Sequence, residues 1–534
     1  MRNEFIAFAI LSTILVVGIG FYLWPPIYWA FVFLVPVILL GIYDMVQKKR
    51  SILRNFPVLG HGRHLMEELR PKIYQYFIES DTNGKPINRI HRSLVYERAE
   101  KGNDTTPFGT KLDVYEEGYE WLNHSIGALD AHELIAHPRI TIGGEACTKP
   151  YSASLLNVSA MSFGSLSKNA VLALNGGAQL GDFAHNTGEG GISPYHFEPG
   201  GDLIFQLGTG YFGCRKSDGN FDPDLFRNLV ADDRVKMIEL KLSQGAKPGH
   251  GGILPAIKNT KEIAKIRAIE PGVDVLSPPF HRAFNSPLGL VEFIQQLREL
   301  SDGKPIGFKL CVGWKSEFLA ICKAMHQTGI YPDFIAVDGG EGGTGAAPLE
   351  FSNSVGMPYR EGLAFVHDAL YGFGIRDKIR IIASGKIISA FDMFKAMALG
   401  ADLCYSARAM MLALGCIQAL ECNSNTCPTG VATQDPELTG GLAVGDKKQK
   451  VANFHAVTMK NFVELLAATG VRNHEEIDRH FVNRRITWNE AKTYSEIFPY
   501  ISKGCLHYEE SIPAHFDKHM ALADVHSFQP RFQE

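Results

Sequence analysis

The chain has 534 residues, 45% of them hydrophobic and 21% charged, with a formal net charge of −4. That is ordinary globular composition, with length for a large domain plus additions. The slight acidity argues against a general nucleic-acid binder, which would carry a basic face, and an odd count of nine cysteines scattered between residues 147 and 505 does not make a secreted disulfide framework.

Residues 5–43 carry no charged side chain. At about 20 residues per membrane span, this is length for two helices. They are predicted over Phe5–Trp24 and Ile27–Tyr43, divided at Pro25 and Pro26 because proline breaks helices. Tyr22, Trp24, Tyr28 and Trp29 flank the break, as aromatic residues do at a membrane interface. Arg2 precedes the first span, and Lys48, Lys49, Arg50 and Arg54 follow the second. The positive-inside rule then places both ends in the cytoplasm. The expectation is a transmembrane helical hairpin over residues 1–50, with the lipid bilayer as partner. It would anchor a cytoplasmic catalytic domain to the inner (cell) membrane. A secretory signal is one alternative, but its apolar core is shorter, about 7–15 residues, and ends at a small-residue cleavage site. A buried hydrophobic hairpin of a soluble protein is the other.

Residues 51–150 are mixed and polar, with weak periodicity. They are predicted to form an irregular connecting region packed on the main domain, with short helices near Leu65–Phe77. From about residue 151 short apolar runs alternate with helical stretches. Candidate strands are Leu155–Met161, Phe183–Asn186, Leu203–Leu207, Met237–Leu242, Val273–Leu276, Ile306–Cys311, Phe334–Val337, Ile379–Ala383 and Leu403–Ser406. Lys168–Leu180, Leu290–Leu300, Lys315–Gln327 and Ala390–Leu399 read as helices between them. This alternation implies an α/β fold with a parallel sheet. Eight repeats would close a (β/α)8 TIM barrel of roughly 250 residues. Nine candidates are one too many, and Phe183–Asn186 or Leu203–Leu207 is the expected surplus. A doubly wound sheet is the competing fold: Gly340-Glu341-Gly342-Gly343-Thr344-Gly345 fits the dinucleotide spacing, but Ala346-Ala347-Pro348 stands where a helix should continue. The main domain is expected over residues 151–470, followed by a helical or irregular extension over 471–534.

Polar and glycine residues gather after the strands, on the face where barrel enzymes place their chemistry. Ser384-Gly385-Lys386 and Ser406-Ala407-Arg408 follow the last two, where barrels commonly bind a phosphate; an ordinary barrel turn is the alternative. Lys309 lies inside a core strand, where a lysine is costly without an anionic partner. Pointed into the barrel mouth, it would stabilise the negative charge of a reduced flavin. Lys241 allows the same argument, and for both the alternative is a strand facing solvent. Glu189, in a glycine-rich loop, is a candidate for proton handling or a solvated loop acid. His185, His196, His250 and His281 also lie near strand ends and read first as structural residues. Cys416, Cys422 and Cys427, spaced C-x5-C-x4-C, suit a [3Fe–4S] cluster better than a four-ligand zinc site. Three unrelated buried cysteines is the alternative, and the other six read as core residues.

Several runs carry a resemblance: Ser159–Gly164, Asn186–Gly191, Gln244–Gly249, Ser277-Pro278-Pro279, Asp338–Ala346 and Asn425–Asp435. They resemble, in order across residues 150–470, the synthase domain of glutamate synthase, and more closely the stand-alone FMN-binding glutamate synthase family. The resemblance implies FMN in the barrel, a [3Fe–4S] cluster on Cys416, Cys422 and Cys427, and reductive amination of 2-oxoglutarate. In that chemistry ammonia and 2-oxoglutarate form 2-iminoglutarate, which accepts a hydride from FMN to give L-glutamate. It implies Ala160, Met161, Ser162, Gln244, Lys309, Asp338, Ser384, Gly385, Lys386, Ala407 and Arg408 at the cofactor. Lys309, Glu189 and Lys241 become the catalytic residues. Three departures stand out. The apolar hairpin stands where the full enzyme has a glutaminase domain, so ammonia comes from solution or a partner. Val312-Gly313-Trp314-Lys315 replaces the polar continuation after the flavin lysine, which puts the substrate in question. An NAD(P)H domain is not visible, so the electron donor is external: ferredoxin, a separate reductase or a membrane component. The same cofactors acting on another 2-oxo acid or amino acid is the second reading. An electron-transfer subunit without its own metabolite is the third.

Overall fold

The apolar N-terminal run folds as two helices, Arg2–Tyr22 and Phe31–Val46, joined by the 3-10 turn Pro25–Ala30. The protein is described by a computed structural model over residues 1–103 and 105–529. Both helices expose apolar side chains, such as Leu11 at 66% and Phe33 at 79%, which is costly in water. By length and composition, Arg2–Tyr22 and Pro25–Val46 are each apolar enough to cross a membrane. The helices touch where Gly41 leaves room: a side chain there would overlap the Phe5 ring. Asp44, fully buried, ends the second helix and accepts hydrogen bonds from the Val58 N–H at 2.9 Å and from His61 Nε2 at 2.9 Å. These elements, with helix Gly60–Ile73, form one compact unit ending at Arg89.

The unit from Ile90 onward is built on a closed eight-stranded parallel barrel. Its strands are β1 (Leu156–Val158), β2 (His185–Asn186), β3 (Leu203–Leu207) and β4 (Val235–Lys241). They continue as β5 (Ile306–Cys311), β6 (Phe334–Asp338), β7 (Arg380–Ser384) and β8 (Leu403–Ser406). Neighbours in sequence are neighbours in the barrel. Lys241 pairs with Lys309 across β4 and β5, and Tyr405 with Asn157 where β8 closes on β1. Strands covered on both faces become near-continuous apolar runs, as in Phe334-Ile335-Ala336-Val337, all fully buried. Helices cover the outside. Lys168–Gly181 starts at Ser167, whose Oγ accepts from the Ala170 N–H at 3.2 Å. The 26-residue helix Val444–Thr469 packs along it.

The surplus strand is not the expected one. Phe183–Asn186 and Leu203–Leu207 both contribute barrel strands, whereas Val275-Leu276, from the candidate Val273–Leu276, pairs antiparallel with Ile253-Leu254 outside the barrel. β4 runs directly beside β5, so the long crossover between them carries this hairpin as an insertion at the barrel mouth.

Residues 482–493, expected to be helical or irregular, form an antiparallel hairpin of Val482–Thr487 and Glu490–Thr493. Its first strand pairs with Glu120–Leu122 from the connecting region. Glu120 explains the docking: its buried carboxylate accepts from Arg484 (2.7 Å), Arg360 (2.8 Å), Lys395 (3.2 Å) and the Tyr494 hydroxyl (2.9 Å). Burial alone would raise its pKa, but these cations outweigh that and hold it below the ordinary range.

Candidate active site

Lys309 projects from β5 into the barrel and is almost fully buried. Its ammonium lies 3.3 Å from Asp338 Oδ2, on β6, and 3.4 Å from Ser384 Oγ, on β7. Burial would lower its pKa, but Asp338 and Glu239 more than offset that and hold it above the usual lysine value. Glu239, deep in the interior, accepts from Asn186 Nδ2 (2.9 Å) and Gln206 Nε2 (2.6 Å). Its pKa is pushed up by burial, against the pull of Lys309.

Above this network, at the C-terminal strand ends, is a cavity. Ala160, Gln244, Lys309 and Asp338 form part of its wall. Ser384, Gly385, Lys386, Ala407 and Arg408 form another part, on the two loops after β7 and β8. The Tyr405 hydroxyl is buried and turns to Glu239 and Asn186 in the interior. One observation matches a large polar cofactor. The backbone at Gly342 and Gly343 runs bare along the same wall; a side chain at Gly343 would come within 2.9 Å of Arg408 Nε. Met161 and Ser162 are not on this wall: Ser162 Oγ turns to Ser165 Oγ at 3.0 Å and faces the Arg267 guanidinium at 3.5 Å. None of Cys311–Lys315 lines it either.

Beside the cavity Glu189 meets three cations. Lys241 Nζ is 2.9 Å from Glu189 Oε1. Lys247 and Arg267 are near enough to act on the same carboxylate. Burial opposes its ionisation, but the three cations outweigh burial, and its pKa falls. Lys247 is lowered to about 8, chiefly by burial and also by Lys241, with Glu189 opposing. Gly252 makes this packing possible, since any side chain there would overlap the Glu189 carboxylate. Sequence reasoning did not single out Lys247 or Arg267. Lys247 sits in the quoted run Gln244–Gly249, so its signal was present; Arg267 ends the ordinary helix Lys261–Arg267 and carries none.

Cys416, Cys422 and Cys427 share one irregular loop between helices Arg408–Ala413 and Pro436–Gly440. Each thiol is close enough to the others to affect its ionisation. Among the described residues, no three His, Cys, Asp or Glu side chains group as ligands of one metal ion. The surroundings favour a thiolate at Cys427 alone: burial pushes the Cys416 thiol up to about 11 and raises Cys422 as well. The Gln418 N–H donates to Cys416 Sγ at 3.4 Å, and Thr429 Oγ1 is 3.6 Å from Cys427 Sγ. Burial disfavours the Cys427 thiolate, but backbone donors led by Ala432 outweigh it and lower the pKa. Lys258, unnoticed in the sequence, locks the loop in place by donating to the carbonyls of Ser165 (3.1 Å), Cys422 (2.8 Å) and Ala432 (2.7 Å). The other six cysteines are free thiols dispersed through the unit.

Of the histidines, His185 and His196 are fully buried and pack on each other, ring centroids 5.4 Å apart. His281 bonds the Lys241 carbonyl at 2.8 Å, and burial lowers it to about 4. His250 packs edge-on to Phe351.

Comparisons with known proteins bear on the same residues. A family profile described as "Conserved region in glutamate synthase" matches residues 113–472. The Bacillus subtilis (strain 168) glutamate synthase large subunit-like protein YerD is 36% identical over 493 residues, 84% of this chain and 94% of that one. The archaeal glutamate synthase [NADPH] of Methanocaldococcus jannaschii is 36% identical over 318 residues, 59% of each chain. Among solved structures, a mutant flavocytochrome b2 with pyruvate bound aligns over 83% of this chain and 90% of its own, at 13% identity and a TM-score of 0.41. That likeness is too slight to add to the barrel seen directly.

Proposed function

The chain belongs to the glutamate synthase family, oxidoreductases acting on CH–NH2 donors, and from that premise we propose that it is a membrane-anchored flavoenzyme converting 2-oxoglutarate and ammonia to L-glutamate. The balance is 2-oxoglutarate, ammonia, two electrons and two protons to glutamate and water. FMN, the proposed cofactor of the barrel cavity, supplies the hydride. The observation that carries the reading is the charge count beside that cavity: Lys241, Lys247 and Arg267 surround the single carboxylate Glu189. The uncompensated positive charge matches a substrate with two carboxylates.

This chain's own residues have distinct tasks. The Ser384–Lys386 and Ala407–Arg408 loops would hold the FMN phosphate, with Ala160, Gln244 and Asp338 along the rest of the wall. Met161 and Ser162 belong to the adjoining loop, against Arg267. Lys309 stays charged on the cavity wall, where it would stabilise negative charge on a bound reduced flavin. Glu189 stays ionised and holds Lys241 in position. Lys247, with a pKa near 8, is the member of the cluster able to exchange a proton near neutrality. Cys416, Cys422 and Cys427 would hold a [3Fe–4S] cluster, whose chemistry is one-electron transfer from an external donor such as ferredoxin or a separate reductase. Another 2-oxo acid or amino acid is the second reading, prompted by Val312–Lys315.

The test is anaerobic. The flavin-loaded protein is reduced chemically and mixed with 2-oxoglutarate and ammonium in a stopped-flow instrument. Recovery of oxidised-flavin absorbance with stoichiometric glutamate is expected. No recovery in a sample holding flavin and iron would reject the reading.

The anchor makes its own prediction. Removing residues 1–50 should move the protein from the membrane pellet to the supernatant. A truncated protein that stays in the pellet would show that the hairpin is not the anchor.

A further inference from the structure

We propose that a second cavity at the same end of the barrel binds a small carboxylate-bearing molecule between Arg215 and Arg282. The chain leaves β3 and turns through a tight hairpin, closed by Asp222 N–H to Cys214 O (2.9 Å) and Lys216 N–H to Asn220 O (2.8 Å). Gly219 sits in its turn with φ +85°, and a side chain there would lie 2.8 Å from one Arg215 nitrogen and 3.5 Å from one of Arg282. Two guanidinium groups thus converge on one bare stretch of backbone. Both line a cavity of about 260 Å³.

Their charge is poorly met from within the chain. Arg215 Nε is buried and has no hydrogen-bond partner among the described residues, and its guanidinium lies 5.6 Å over the Phe212 ring. Among the described residues Arg282 donates to the Asp218 carbonyl alone, at 3.2 Å. The two carboxylates on the wall are engaged elsewhere: Asp218 accepts from the Asn220 N–H and side chain, both at 2.9 Å, and Asp274 from the Ala256 N–H at 2.6 Å. Asp218 offsets part of the Arg215 charge from a distance. Arg215 is partly buried and Arg282 exposed; a partly desolvated guanidinium with an unmet donor beside a second cation is costly without an anion, and a planar guanidinium pairs best with a planar carboxylate. The remaining wall is apolar: Ile269, Val273, Val275 and Leu276. The ligand therefore has an acid head and a body of a few carbons.

The site is distinct from the one proposed for catalysis. Phe212 is the partition: Arg215 stacks on its ring, and so does Arg267, at 5.1 Å, which faces Glu189. An occupant here is a neighbour of the Glu189 cluster and not a member of it.

The experiment is an arginine footprint of the full-length, flavin-loaded protein in detergent, using phenylglyoxal and peptide mass spectrometry. The probes are glutarate and inorganic phosphate. At about ten times its dissociation constant, glutarate should slow labelling of Arg215 and Arg282 about tenfold by mass action. The exposed Arg472 should label at an unchanged rate. Arg282→Gln should abolish the protection of Arg215. No protection by glutarate, or protection of Arg215 undiminished in Arg282→Gln, would overturn the site. Equal protection by phosphate at the same concentration would overturn the carboxylate assignment, because the apolar walls would then contribute nothing.

Discussion

Lys309→Met is expected to lower thermal stability and strip flavin from the protein together. Methionine nearly conserves the volume, so the loss is of charge and not of packing. It leaves the nearly buried carboxylate of Asp338 and the fully buried one of Glu239 without their cation. Breaking a buried pair from one side costs about 3–5 kcal/mol. Asp338 also accepts from the Gly245 N–H at 3.0 Å, so the strain reaches the loop carrying Gln244 on the cavity wall. The sign of the pH dependence is definite. Lys309 has a folded pKa above its unfolded value. Its contribution is therefore complete below the ordinary lysine pKa of about 10.4 and is lost only as pH rises through the higher folded value. Up to the ordinary lysine pKa, the Lys309 part of the gap in melting temperature should not change with pH, while Glu239, already raised by burial and raised further without Lys309, sets where the gap begins to close on acidification. Below that it should narrow as the stranded carboxylates take up protons. Calorimetry across pH and the flavin absorbance of the purified variant measure both effects. Unchanged stability with full flavin content would remove Lys309 from its proposed place.

Cys422→Ser is expected to reduce bound iron to background and to remove every visible absorption band that does not belong to flavin. A hydroxyl is a far weaker soft-metal ligand than a thiolate. The substitution leaves the loop backbone alone: the Cys422 carbonyl still accepts from Lys258 at 2.8 Å. The loop's place against the barrel should survive, and far-ultraviolet circular dichroism should not change. Cys322→Ser is the control, a fully buried cysteine in helix Lys315–Thr328; it should lose stability and keep its iron. An intact iron–sulfur spectrum in Cys422→Ser would sink the cluster assignment.

Much of this was legible from local pattern. The uncharged run of residues 5–43 had length for two helices, and it folds as Arg2–Tyr22 and Phe31–Val46. Strand–helix alternation required a parallel sheet. Lysines inside core strands required buried anions, and at Lys309 and Lys241 the anions are Asp338 and Glu189. The error over the surplus strand has a physical cause. Val273–Leu276 has the composition of a core strand, and composition does not reveal whether a segment pairs within the barrel or with a passing hairpin. β2, only two residues long, carries almost no periodic signal.

The sequence by itself determined most of the helices and barrel strands, the cysteine spacing and the apolar hairpin, since each is a property of residues close together along the chain; it did not foresee the strand hairpin of 482–493 or the place of Val275-Leu276. Tertiary structure alone decided which groups meet. Glu189 joins Lys241, Lys247 and Arg267 from three separate segments, Lys258 reaches a cysteine loop 164 residues away, and Arg215 converges with Arg282 over Gly219. Such meetings leave no periodic trace. Their energies depend on how far each charge is removed from water, and that is settled only when the barrel closes.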